Sequence, residues 1–286
     1  MKLEINLILL ISSFLVACNF TGGQSNLENY DVQNKNAQRI ILPTELNEIS
    51  GLAISDDNKV FCHDDEKGVI YQVNINNGTI VKRFQLGKFG IDGDFEGLAI
   101  ANKNFYIVTS NATLYKFKEG SNLAKVKVKK VKLGFGSKLE IEGLCYDKTT
   151  NSLLLASKEY PGKQYKGKRT IFAYSLNKNK LIKTPIIQVS LRELRNRFGI
   201  NHFHPSAIEI NPITGTYFVL SAKGNRAIIE ISRSGKLLGG IKLKGKLHRQ
   251  PEGLAFLKNG TMIISDEAAG ERATLTKYNF LKTKAQ

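Results

Sequence analysis

Asp94-Phe95-Glu96-Gly97-Leu98-Ala99-Ile100 decides the fold of this chain, because close copies of the stretch return along the sequence. The copies are Ile49-Ser50-Gly51-Leu52-Ala53-Ile54, Ile141-Glu142-Gly143-Leu144-Cys145-Tyr146, Pro205-Ser206-Ala207-Ile208-Glu209-Ile210 and Pro251-Glu252-Gly253-Leu254-Ala255-Phe256. The residues preceding the small position are 50, 96, 142, 206 and 252, so the spacings are 46, 46, 64 and 46. A period in the forties marks a repeat architecture. Within the second repeat, Glu96 to Ala101, Asn104 to Thr109, Ala112 to Phe117 and Leu123 to Leu133 read as strands, separated by turn residues such as Asn102, Asn111 and Gly120. Four short strands per period predict an all-β chain folded as a β-propeller with five blades, six being the alternative count.

The long spacing is explained by two insertions and not by an extra blade. Tyr160 to Arg169 is an expanded loop, and Ser190-Leu-Arg-Glu193 opens a short helix that Gly199 stops. The fifth repeat has only three strands after Pro251. Gln38 to Pro43 stands before the first repeat as an orphan strand, and can complete the last blade and close the ring. Lys125-Val-Lys-Val-Lys-Lys-Val-Lys132 alternates lysine with valine, as expected of an outer strand that resists edge pairing.

Upstream, Lys2 and the apolar run Ile5 to Val16 read as an export signal too short to span a bilayer. The run ends in Leu15-Val16-Ala17-Cys18, the pattern of a bacterial lipobox. The expected organisation is a lipoprotein signal peptide over 1–17, a flexible tether over 18–36 carrying acyl chains such as palmitate on Cys18, and a propeller over 37–286. Such a protein is exported and lipid-anchored to the cell membrane or outer membrane. Cys62 and Cys145 lie in different repeats and are expected as buried free thiols. The net charge of +17 favours anionic partners, a small molecule or a surface polymer, and export argues against nucleic acid. A monomer is expected.

Carboxylates that cluster against this basic background are the informative residues. The residue before the small position sits at the start of each innermost strand, at one mouth of the channel, and is Glu96, Glu142 and Glu252 in three repeats but Ser50 and Ser206 in two. The second strand returns to the same mouth and delivers Asp65, Glu159 and Glu267. Oxygen donors crowded in this way suit a hard cation, calcium before magnesium. Glu96, Glu142 and Glu252 are the main candidate ligands, with Asp65, Glu159 and Glu267 behind them. His204 and His248 lie close in sequence to the mouth and, with Glu142, are candidates for acid–base work or a phosphate contact.

Asp94-Phe-Glu-Gly-Leu-Ala, Ile141-Glu-Gly-Leu, His204-Pro-Ser-Ala-Ile-Glu, Val219-Leu-Ser221 and Gln250-Pro-Glu-Gly-Leu-Ala, in that order, resemble the SdiA-regulated family. The resemblance covers about residues 38 to 280. It implies a five-bladed propeller akin to NHL-repeat and phytase-like propellers, with calcium at the channel held by Glu96, Glu142 and Glu252. Ser110-Asn111 and Lys223 stand where other repeats present acids, which leaves the number of ions open. The expected function is a membrane-anchored, calcium-binding propeller with a ligand or partner at the acidic mouth. The alternatives are a calcium-dependent hydrolase acting on phosphomonoesters, phytate or lactones, and a metal-free surface scaffold or adhesion protein.

Overall fold

The computed structural model describes residues 24–33, 37–135, 139–159 and 162–281. The signal peptide and Cys18 lie outside these residues. Five antiparallel sheets form the blades. Blade 1 is Ile49–Ile54, Val60–Asp64, Val69–Val73 and Ile80–Leu86, and blade 2 is Phe95–Ala101, Asn104–Thr109, Thr113–Phe117 and Lys129–Lys132. Blade 3 is Ile141–Asp147, Ser152–Ser157, Lys168–Ser175 and Lys180–Ser190, and blade 4 is Phe203–Ile210, Tyr217–Gly224, Ala227–Ile231 and Leu237–Lys242. Blade 5 is Pro251–Phe256, Met262–Asp266, Thr274–Tyr278 and the N-terminal Gln38–Ile41, which pairs Gln38 with Lys277 and Ile41 with Thr274. The five sheets rule out the six-blade count, and the orphan strand closes the ring as expected.

Period-two alternation builds the core. Leu98 and Ile100 face blade 1 while Ala99 faces blade 3, and each of the five hydrophobic clusters fills one layer between neighbouring blades. Innermost strands touch in the order 1-2-3-4-5-1. That closeness requires the small residue: a Cβ on Gly97 would lie 2.7 Å from the backbone nitrogen of Leu144, and one on Gly253 would lie 2.7 Å from the carbonyl oxygen of Ser50. The lysine-rich segment bridges two blades. Lys125–Val126 runs parallel to the outer strand of blade 1 before Lys129–Lys132 pairs with blade 2, and Val126 and Val128 pack inward. The helix Leu191–Phe198 is capped by Ser190 Oγ, which accepts from the Glu193 amide, and ends at left-handed Gly199. Cys62 and Cys145 are buried free thiols.

Within the segment expected as a flexible tether over 18–36, the described residues 24–33 are packed against blades 4 and 5. Leu27, Tyr30 and Val32 are buried, Asn26 Nδ2 donates to Glu230 Oε1 at 3.0 Å, and Tyr30 Oη donates to the Gly260 carbonyl and accepts from Asn211 Nδ2, both at 2.8 Å. Three apolar side chains scattered among polar ones carry no period, so their burial is set by the groove that receives them. Tyr30→Phe removes both hydrogen bonds and is expected to lower stability by about 1–2 kcal/mol. Urea unfolding checks this, and an unchanged midpoint would mean that the segment is not docked in solution.

Candidate functional site

The register of the innermost strands explains why one residue per blade enters the channel mouth. In every blade the ladder between first and second strands shifts at the residue before the small position: Ser50, Glu96, Glu142, Ser206 and Glu252. A bulge at this point re-aims a side chain out of the sheet plane. The backbone groups it frees find buried partners. Gly51 N donates to His63 Nε2 at 3.0 Å, Ser206 Oγ donates to the Pro251 carbonyl at 2.7 Å, and Ser265 Oγ donates to the Ser50 carbonyl at 3.2 Å. His63 is thus structural, held neutral as burial pushes its pKa down to about 4.

Glu96, Glu142 and Glu252 lie near enough to one another for their charges to interact. Burial pushes Glu96 up to about 10, aided by Glu142, Asp94 and Glu252. Burial likewise raises Glu252 to about 8, with Glu142 and Glu267 adding repulsion. Glu142 is raised by burial but restrained by Lys158, whose Nζ lies 2.7 Å from its Oε1, and by a hydrogen bond with Glu96. The natural arrangement is a protonated Glu96 and the Lys158 ammonium both donating to Glu142. Burial alone would lower the Lys158 pKa, yet Glu142, Glu96 and Glu140 outweigh it and raise it. Lys158 is not among the residues that the repeat singles out. Its position at the end of the second strand, directly above Glu142, was the signal available.

Asp65 and Glu267 form a second group at the rim between blades 5 and 1, joined by Glu48. Burial lifts Glu267 to about 8, reinforced by a hydrogen bond and charge from Glu48, and lifts Asp65 to about 6 alongside Asp64 and Glu48. Asp65 Oδ1 and Asn47 Oδ1 are buried with no hydrogen-bond partner among the described residues. Among the described residues, no three His, Cys, Asp or Glu side chains form a ready metal-ligating group.

Glu159 is drawn elsewhere. Its Oε1 accepts from His204 Nδ1 at 2.7 Å and its Oε2 pairs with Arg169 at 3.1 Å, while Arg169 Nε donates to the Phe203 carbonyl at 2.7 Å. Burial lowers the His204 pKa against the pull of Glu159. His248, expected near the mouth, is not brought there. It is fully buried, with Nδ1 2.8 Å from Asp266 Oδ2 and Nε2 2.7 Å from Tyr278 Oη, so it braces blade 5.

A cavity of about 310 Å³ opens beside the carboxyls. Glu142 and Glu252 form one wall, and Lys158, Lys223, Arg226 and Arg249 bring positive charge to it, with His204 at the edge. Lys223 makes no ion pair among the described residues, and Arg226 uses Nε on the Arg249 carbonyl at 2.5 Å. The mouth is therefore of mixed charge and not simply acidic. Lys223 stands where other blades place acids, which is why the basic wall lies on blade 4.

A five-bladed propeller whose bulged strands gather carboxyls beside a basic pocket is the class that fold and site define. The sequence model of the SdiA-regulated family matches residues 24–204 and 198–284, and the chain belongs to that family. No curated protein matches the chain in sequence. Among solved structures, it is similar to the Myxococcus xanthus glutaminyl cyclase at 14% identity and a TM-score of 0.57, covering 85% of this chain and 94% of that one. It is also similar to a luciferin-regenerating enzyme at 9% identity and a TM-score of 0.54, covering 87% of this chain and 98% of that one. At these identities the likeness is one of fold.

Proposed function

We propose that this protein is a lipid-anchored propeller of the bacterial envelope that binds calcium through the carboxyls of the mouth and an anionic small molecule or surface polymer in the pocket beside them, acting as a monomer. The observation that carries the ligand reading is the meeting of Lys158, Lys223, Arg226 and Arg249 in one cavity. An anionic group finds several N–H donors there, while Glu142 and Glu252 offer acceptors to hydroxyl or amine groups on the same ligand.

Calcium suits the donor chemistry, which is oxygen only. At the mouth Glu96, Glu142 and Glu252 would hold it. At the rim Glu48, Asp65 and Glu267 would do so, and the orphaned oxygens of Asp65 and Asn47 favour a cation there. A bound calcium would neutralise carboxyls that otherwise keep protons, so binding releases protons and tightens as pH rises. Millimolar calcium is expected to raise the melting temperature by several degrees and EDTA to reverse it, since ligand at about 100 times Kd adds about 2.7 kcal/mol. No shift by calorimetry and no calcium by elemental analysis would sink the metal reading. Mass spectrometry of the mature protein tests acylation at Cys18.

A hydrolase is the second reading, and the Glu159–His204 pair favours it. Glu159 holds Nδ1 and, among the described residues, Nε2 of His204 has no partner at the cavity edge, the arrangement of a general base. Turnover of phosphate esters or lactones that is lost in His204→Gln would support it.

A further inference from the structure

The opposite end of the channel carries its own cavity, of about 430 Å³, where the innermost strands finish. The residue three positions after the small one contributes from every blade: Ile54, Ile100, Tyr146, Ile210 and Phe256. Together they make an apolar collar, with all but Phe256 partly exposed. One position earlier, four blades place Ala53, Ala99, Cys145 and Ala255, whereas blade 4 places Glu209. A small side chain is what packing asks for at this position, as the other four blades show. The carboxyl there is partly open to the cavity, and desolvation raises its pKa to about 8.

Among the described residues Glu209 has no cationic partner, and its Oε1 accepts only from the neighbouring Ile210 amide, at 2.7 Å. The nearest guanidinium in the cavity is already satisfied: Arg233 pairs with Asp147 at 2.8 and 3.0 Å, donates to Thr149 Oγ1 at 2.7 Å and lies over the Tyr217 ring. Lys148 and Lys258 border the cavity, yet neither perturbs Glu209. An acid set in an apolar ring without a counter-charge costs stability unless a ligand supplies the charge.

We propose that this cavity is a second ligand site, which takes an organic ammonium ion: the cation pairs with Glu209 and the apolar body lies against the collar of Ile54, Ile100, Tyr146, Ile210 and Phe256. Tyr146 and Phe256 add ring faces that attract a cation or stack on an aromatic body. The site is separate from the carboxyl mouth, since Glu209 lies three residues along its strand from Ser206, roughly 10 Å at the rise of a β-strand.

The test titrates 2-phenylethylammonium into the full chain by calorimetry, beside 2-phenylethanol as the uncharged isostere and phenylacetate as the anion. Saturable binding of the ammonium is expected, at least tenfold tighter than of the alcohol, with no binding of the anion. Glu209→Gln should weaken the ammonium at least tenfold, while Glu96→Gln and Glu252→Gln at the other mouth leave it unchanged. Glu209→Ala controls for folding, because alanine is the residue of three other blades; it should keep or raise the melting temperature while losing the ligand. Absence of saturable ammonium binding, equal affinity for the alcohol, or retained affinity in Glu209→Gln overturns the proposal. So does loss confined to Glu252→Gln, which would put the amine at the carboxyl mouth.

Discussion

In calcium-free buffer, Glu96→Gln is expected to be more stable than wild type at pH 9 and equal to it near pH 4. Burial, with Glu142, Asp94 and Glu252, raises the folded Glu96 carboxyl to about 10, far above the ordinary value of 4.5. Between those two values the folded state holds a proton that the unfolded chain has released. The folded state binds more protons there, so stability falls as pH rises through the window. Below pH 4.5 both states are protonated and the term vanishes. Glu252 and Glu267, each raised to about 8, act in the same direction between pH 4.5 and 8. The size is on the order of a few kcal/mol for Glu96, given its coupling to Glu142 and Lys158. Glutamine offers Glu142 an N–H donor in place of the Glu96 O–H and removes the titration. Melting curves of both proteins from pH 4 to 9 check the result, and a difference independent of pH would show that Glu96 is not desolvated. Calcium should shrink the difference in wild type by taking the place of protons.

The second large effect concerns closure. A chain beginning at Leu42 is expected to lose its cooperative unfolding transition or to melt at least about 15 °C lower, whereas one beginning at Ala37 keeps a sharp transition. The missing strand pairs Gln38 to Ile41 with Lys277 to Thr274 and buries Ile40 between blades 5 and 1. Without it, Thr274–Tyr278 becomes an open edge that invites association of chains. Losing residues 24–36 removes Leu27, Tyr30 and Val32 from the blade 4–5 layer. Each such side chain contributes about 1.5–3 kcal/mol of burial, so the Ala37 chain is weakened but stays a ring. Scanning calorimetry with sedimentation of both chains checks this. Equal melting temperatures would mean that blade 5 stands on three strands.

Much of the site was legible because repetition turns single residues into positions. Glu96, Glu142 and Glu252 could be paired across blades from their place before the glycine alone. Lys158 was not legible, because only in space does its ammonium become the counter-charge of Glu142. His248 was misplaced for a different reason: closeness along the chain to Glu252 says nothing of direction, and the loop carries the ring inward to Asp266 and Tyr278. Ser25 to Val32 read as a tether because a short segment without a period gives no sign of the groove that receives it.

Period and spacing by themselves determined the propeller architecture, the strand order within a blade, the closure by the N-terminal strand and the small residue where innermost strands meet. These follow from local patterning, since side-chain alternation and turn chemistry act over a few residues. Tertiary structure alone decided what the glutamates do. The bulge at Ser50, Glu96, Glu142, Ser206 and Glu252 is a property of pairing between strands, and it turns those side chains into one mouth. Desolvation and the mutual field of groups from different blades then set their charge, and both depend on distances that exist only once the ring is closed.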